Sequence, residues 1–319
     1  MIIIYTLPDK KYWDGRIDSE KDQNSFRLHQ IVALKDAQKL AENESAFGFV
    51  GFECEEGVRR NKGRLGAALA PNKIRQFLSS LPYRLEKKII DIGNISCEGE
   101  ALEKAQKELG ESIGKLYNSS SVPIILGGGH ETLYGHYLGA RGHIGPDASL
   151  GIINIDAHFD MREDPLPSSG TMFRQILEHD TNAGYLCIGI QELGNTEALF
   201  QTADKLGCTY IYEEDVAAND FLQTFKKIDQ FAAQHDFLIL TLCTDSIISY
   251  AAPGVSAPSP FGLDPKTVKT LLRYIAAKNN LLSFDISEVN PLYDEGDRTV
   301  RLAAYLIAEV MRHFNQNHT

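Results

Sequence analysis

The stretch ASLGIINIDAHFDMR, residues 148–162, decides how this chain is read. Its apolar run, Ala148 to Ile155, has the character of a buried strand, and it ends in Asp156, His158 and Asp160. On extended backbone alternate side chains share a face, so this i, i+2, i+4 spacing brings three donors towards one point. Two carboxylates and an imidazole suit manganese, zinc or iron far better than a thiolate-seeking metal. Without a metal they would be a capping Asp, a half-buried His and a surface Asp. Arg162, two residues on, continues the same face towards a substrate.

Working outward, short apolar runs alternate with helical patterns. Strands are expected at Ala46–Phe52, Lys88–Ile92, Val122–Leu126, Leu150–Asp156, Tyr185–Ile190, Thr209–Tyr212, Phe237–Leu242 and Leu281–Ile286. Helical periodicity fills Ala67–Ser80, Ala101–Tyr117, Asn195–Leu206, Phe221–His235, Pro265–Lys278 and Thr299–Phe314. Strands rich in Ile, Val, Leu and Phe alternating with helices indicate βαβ units and a buried parallel sheet, hence an α/β fold. Eight strands fit an open sheet or a closed barrel, and in both ligands gather at the carboxyl ends of the strands. No Pro/Ser linker divides residues 1–319, which read as one domain. Residues 1–28 are mixed and polar and read as an arm packed on the body or on another subunit.

A formal net charge of −11 argues against a nucleic-acid partner. The apolar runs fall well short of the roughly 18 residues that a membrane span needs. Met1 to Tyr5 is apolar but stops at Pro8 with no basic segment before it, unlike a signal peptide. Five scattered cysteines, without a C-x-x-C, fit reduced thiols in a cytoplasm.

The other strand ends are polar as well. After Leu126 comes Gly127-Gly128-Gly129-His130-Glu131, which suits a metal ligand, a phosphate-cradling turn or a plain strand-to-helix turn. It is not a nucleotide loop, because G-x-x-x-x-G-K-[ST] is absent. After Leu242 comes Cys243-Thr244-Asp245, where a buried structural cysteine beside a turn-forming Asp is the plain alternative. After Phe284 comes Asp285-Ile286-Ser287-Glu288-Val289-Asn290-Pro291, whose Glu288 is a cleft carboxylate or a salt-bridge partner.

Together these segments resemble the ureohydrolase family, which includes arginase and agmatinase. The resemblance runs from about Gly57 to the last helix. It rests on Gly57 to Ala67, Gly127 to Glu131, D-A-H-x-D at Asp156 to Asp160, the frame Thr241 to Asp245 with Pro253-Gly254 and Gly262, and E-V-N-P at Glu288 to Pro291. It implies a three-layer α/β/α fold with an open, mostly parallel, eight-stranded sheet and two Mn²⁺ ions per subunit. Carried over by position, His130, Asp156 and Asp160 would hold one ion and Asp156, His158 and Asp245 the other, with position 243 the second bridge. A water shared by two cations becomes hydroxide near neutral pH, and would attack the planar carbon of a guanidine or amidine. Asp160 would shuttle the proton and Glu288 would bind the cationic nitrogens. The implied substrate-binding set is Asn61, Arg64, Arg162, Ser169 and Glu288, and the implied assembly is a homo-oligomer, a trimer or a hexamer.

Three departures choose among activities. The proton-shuttling histidine common in arginases and agmatinases is missing from Ser168 to Phe173. Arg162 stands where arginase-like members place an uncharged residue, and a guanidinium there would grip a carboxylate and repel a cationic tail. Cys243 replaces a bridging Asp, and sulfur is a poorer partner for Mn²⁺, so the second ion is expected to bind more weakly. The first two point to N-formimidoyl-L-glutamate, hydrolysed to L-glutamate and formamide in histidine breakdown. Hydrolysis of agmatine or guanidinobutyrate, or metabolite binding without turnover, are the alternatives.

Overall fold

The computed structural model describes residues 4–217 and 220–315. Each of the eight expected strands is present, β5 and β8 with the expected ends and the others with one end moved by one to four residues: β3 (Ala46–Glu53), β4 (Lys88–Ser96), β5 (Val122–Leu126), β6 (Leu150–Ile155), β7 (Ala183–Ile190), β8 (Thr209–Tyr212), β9 (Phe237–Cys243) and β10 (Leu281–Ser287). Two more, β1 (Tyr5–Thr6) and β2 (Ala33–Leu34), raise the count to ten in one open sheet ordered β1-β4-β3-β5-β10-β9-β6-β7-β8, with β2 also on β4. The expectation of eight was low because a two-residue pairing carries no hydrophobic period. Both extra strands lie on β4: β2 runs parallel to Ile90–Asp91, and β1 antiparallel to Asn94–Ile95. The remaining pairings are parallel.

The helices are α1 (Leu28–Ile31), α2 (Glu56–Arg60), α3 (Ala70–Ser79), α4 (Leu102–Asn118), α5 (Thr132–Ile144), α6 (Met172–His179), α7 (Glu197–Lys205), α8 (Leu222–Ala232), α9 (Pro265–Ala276) and α10 (Arg298–His313). Strand alternation splits the core in two. Phe47, Phe49, Ile153 and Leu240 pack with α3, α8, α9 and α10, while Val50, Phe52, Ile152 and Ile239 pack with α4 to α7. Helix α5 escapes a periodicity reading because it lacks a simple apolar stripe. Its Gly135 and Gly139 meet α4 so closely that an added Cβ would lie 2.7 Å from Leu109 and 2.6 Å from Ile113. Among the described residues no helix is long and apolar enough to cross a membrane.

Within residues 4–28, Trp13 packs on the sheet. Trp13 is fully buried, its ring centroid 5.7 Å from that of Phe49, and its Nε1 donates to Asp91 Oδ2 at 2.6 Å. Arg75 donates to both oxygens of Asp91, at 2.8 and 2.9 Å, and both side chains are buried. Removing one partner of a buried ion pair strands the other charge. Arg75→Met is therefore expected to lower stability by about 3–5 kcal/mol in urea unfolding, with a red shift in the emission of Trp13, the only tryptophan. A loss below about 1 kcal/mol, the scale of an exposed pair, would remove the pair from that role.

Candidate metal centre

Because β5, β10, β9 and β6 are parallel neighbours, the loops after Leu126, Ser287, Cys243 and Ile155 open at one edge. The first of these is forced to be glycine. A Cβ on Gly128 would sit 1.8 Å from the Cys54 carbonyl oxygen, and one on Gly129 would sit 2.1 Å from Glu131 Oε2. This close approach seats His130, which is 1% exposed and whose backbone N–H donates to Glu288 Oε1 at 2.9 Å.

The segment after β6 corrects the simple picture of one extended face. The strand ends at Ile155, and Asp156 to Asp160 form a bend. Asp156 Oδ1 accepts the His158 N–H at 2.9 Å, and Asn195 clamps the outside by accepting from Phe159 N–H and donating to the Ala157 carbonyl. Asp160 has φ 49°, uncommon for a residue with a side chain, and its Oδ2 lies 2.8 Å from His130 Nδ1. The donors converge through a hydrogen-bonded turn instead of the period of a strand.

Two groups of donor atoms result, each with its members within 4.8 Å of one another: His130, Asp156 and Cys243, and Asp156, His158 and Asp245. Asp156 belongs to both and is fully buried. Its Oδ2 lies 3.1 Å from His130 Nδ1, while His158 Nδ1 lies 3.3 Å from Asp245 Oδ2. The Cys243 thiol donates to Asp245 Oδ1 at 2.9 Å. Glu288, at φ 68°, closes the site from β10; its Oε2 is buried without a hydrogen-bond partner.

Acids outnumber cations here, and the ionisation of the groups shows it. Burial, then the charge of Asp156, pushes Asp160 up to about 6. Burial opposes charge on His158, but Asp245 and Asp156 overcome it and push its pKa up to about 12. Burial followed by neighbouring carboxylates raises Cys243 and Glu288 well above their ordinary values. Burial would also raise Asp156, yet the two imidazoles hold it below the usual carboxylate range. Oxygen and nitrogen donors sharing one carboxylate, with a deficit of positive charge, fit a pair of divalent cations.

A cavity of about 210 Å³ opens over these groups. His130, His158, Asp160, Cys243, Asp245 and Glu288 line its floor, while Asn61, Arg162 and Ser169 form one side of its wall. Arg162 Nη1 donates to Asn61 Oδ1 at 2.5 Å, and Asn61 Nδ2 donates to Ser169 Oγ at 3.2 Å. Arg64 is not in the lining. Its Nε donates to the Ser256 carbonyl at 2.9 Å and its guanidinium lies over the Tyr293 ring, so it braces the wall from behind. Asn195, Leu199, Ser256 and Ala257 line the cavity without having been singled out in the sequence. Asn195 follows a strand end, as the other polar groups do, which was the available signal.

Comparison with known proteins gives the family and the fold. A model of the arginase family matches residues 45–312. Formimidoylglutamase of Geobacillus sp. (strain WCH70) is 53% identical over 317 residues, covering 98% of each chain. That of Clostridium tetani is 42% identical, covering 97% of this chain and 96% of that one. Among solved structures, formimidoylglutamase from Bacillus subtilis superposes with a TM-score of 0.81 at 24% identity, covering 95% of this chain and 97% of that one. Trypanosoma cruzi formiminoglutamase with Mn²⁺ gives 0.79 at 24% identity, covering 89% and 99%. The chain belongs to the arginase family.

Proposed function

We propose that this chain hydrolyses N-formimidoyl-L-glutamate to L-glutamate and formamide, using two Mn²⁺ ions held by His130, Asp156 and Asp160 on one side and Asp156, His158 and Asp245 on the other, with Cys243 as the second bridge. The polarity of the cavity carries the reading: an unpaired Glu288 oxygen at its floor and the Arg162 guanidinium in its wall. A cationic amidine matches the first and a carboxylate the second. The names of relatives up to 53% identical over nearly the full length support the same substrate.

Two bound divalent cations supply a shared water acidified enough to act as a nucleophile near neutral pH. The remaining work falls to side chains. Glu288 Oε2 accepts from the amidinium N–H and turns the formimidoyl carbon towards the donor cluster. Asp160, whose Oδ2 lies 2.8 Å from His130 Nδ1, takes a proton and returns it to the departing nitrogen. The bond between the formimidoyl carbon and the glutamate nitrogen breaks, water supplies the formamide oxygen, and the amine leaves with the proton. Arg162, already oriented by Asn61, holds a substrate carboxylate. It would repel the cationic tail of agmatine.

With Mn²⁺, a panel of formimidoylglutamate, agmatine, arginine and guanidinobutyrate should give turnover chiefly of the first; no formamide release would sink the proposal. Arg162→Ala should raise KM for formimidoylglutamate by about 10- to 100-fold, the scale of a lost hydrogen bond to a charged group, and barely change it for an uncharged formamidine. Equal effects on both would take Arg162 out of the carboxylate role.

Metal binding should itself depend on pH. At pH 7 His158, with its pKa of about 12, carries a proton that it must lose to become a ligand. Mn²⁺ binding should therefore release protons and weaken as pH falls, which calorimetry in buffers of different ionisation enthalpy will show. The second ion should be the weaker one because of the Cys243 sulfur. Cys243→Asp should tighten it by about tenfold, or 1.4 kcal/mol, and equal affinities in both proteins would contradict this.

A further inference from the structure

Beneath the candidate metal centre, on the face covered by α4 and α5, the core is polar where its neighbours are apolar. Thr241 sits between Leu240 and Leu242 in β9, and Ser283 and Asp285 alternate with Phe284 and Ile286 in β10. His136 meets them from the second turn of α5. All four are completely buried.

Their hydrogen bonds form one chain that starts at a metal-ligand candidate. His130 Nε2 lies 3.2 Å from Thr241 Oγ1, and Thr241 donates to Asp285 Oδ1 at 2.8 Å. Ser287 Oγ donates to the same oxygen at 3.1 Å. His136 Nδ1 lies 2.6 Å from Asp285 Oδ2, and its Nε2 lies 2.6 Å from Ser283 Oγ, which in turn meets Tyr117 OH at 2.5 Å.

The direction of the protons in this chain follows from one member. A carboxylate only accepts, so Asp285 takes the single hydroxyl proton of Thr241 and the Nδ1 proton of His136. Thr241 Oγ1 then has only lone pairs to offer His130, whose Nε2 must be the donor. That leaves His130 Nδ1, facing Asp156 and Asp160, as the nitrogen free to ligate. A well-packed apolar core would be at least as stable as such a network, so stability alone does not account for it.

We propose that His136 and Asp285 are positioning residues for the metal centre: acting through Thr241, they keep the His130 proton on Nε2 and aim Nδ1 at the site. This rests on the reading of that site as a metal centre. Partners of this kind commonly change metal affinity by 10- to 100-fold on mutation.

The test is calorimetric titration of metal-free protein with Mn²⁺, beside thermal unfolding of the same metal-free samples. Thr241→Val keeps the shape of the side chain and removes the hydroxyl; His136→Phe removes both ring hydrogen bonds. Each is expected to weaken binding at the His130 site by about 10- to 100-fold, while Thr241→Ser, which restores the hydroxyl, stays within about threefold of wild type. Thr241→Val carries the decision should His136→Phe not fold. A lower melting temperature with both Mn²⁺ affinities unchanged would make the network merely structural and overturn the proposal. Wild-type protein that binds no Mn²⁺ would overturn the metal-centre reading, and this one with it.

Discussion

Asp156 is the point on which the site turns. It is fully buried, lies between two imidazoles, and supplies a donor to both groups of candidate ligands. A buried carboxylate is tolerable only if positive charge or hydrogen bonds surround it, and the surrounding loops meet that demand. His130 arrives from β5, His158 from the bend after β6, and Cys243 with Asp245 from β9. A parallel sheet delivers these loops to one edge; an antiparallel arrangement would have scattered them to opposite ends.

The fold was legible wherever a residue pattern repeats. Buried strands such as Val122–Leu126 announce themselves by continuous apolar runs, and amphipathic helices such as α9 and α10 by their stripes. What escaped had no repeat to show. The two-residue strands β1 and β2 are recognised by β4 and not by their own sequence. Helix α5 trades an apolar face for glycines against α4 and a histidine against the sheet. At the site, residue types and strand-end positions were readable, but the bend at Asp156 to Asp160 was not, because it depends on Asn195, some forty residues away. Arg64, placed by resemblance beside the substrate, makes its contacts with Ser256 and Tyr293.

The chemistry divides along the same lines as the geometry. The floor of the cavity holds the carboxylates, imidazoles and thiol that we propose activate water and move a proton. In the wall, formed by Asn61, Arg162 and Ser169, Arg162 alone is exposed, and it is held by side chains that could be exchanged without disturbing the sheet. On the proposed function, selectivity would change at the wall while the floor stays as it is. Cys243 is the exception, a soft donor within an otherwise hard set, and it lies in the floor.

The strand order has a consequence for how the molecule comes into being. The last strand made, β10, lies between β5 and β9 and joins two half-sheets that are each complete before it. His130 belongs to one half, and Asp156, His158, Cys243 and Asp245 to the other. Synthesis from the amino terminus thus produces both sets of donors long before they can meet, and parallel pairing over such sequence separations is slow. Docking of β10 is then the assembly step of the site, and the strand that performs it also brings in Glu288. A chain stalled before residue 281 would hold every donor of both groups and yet have no site.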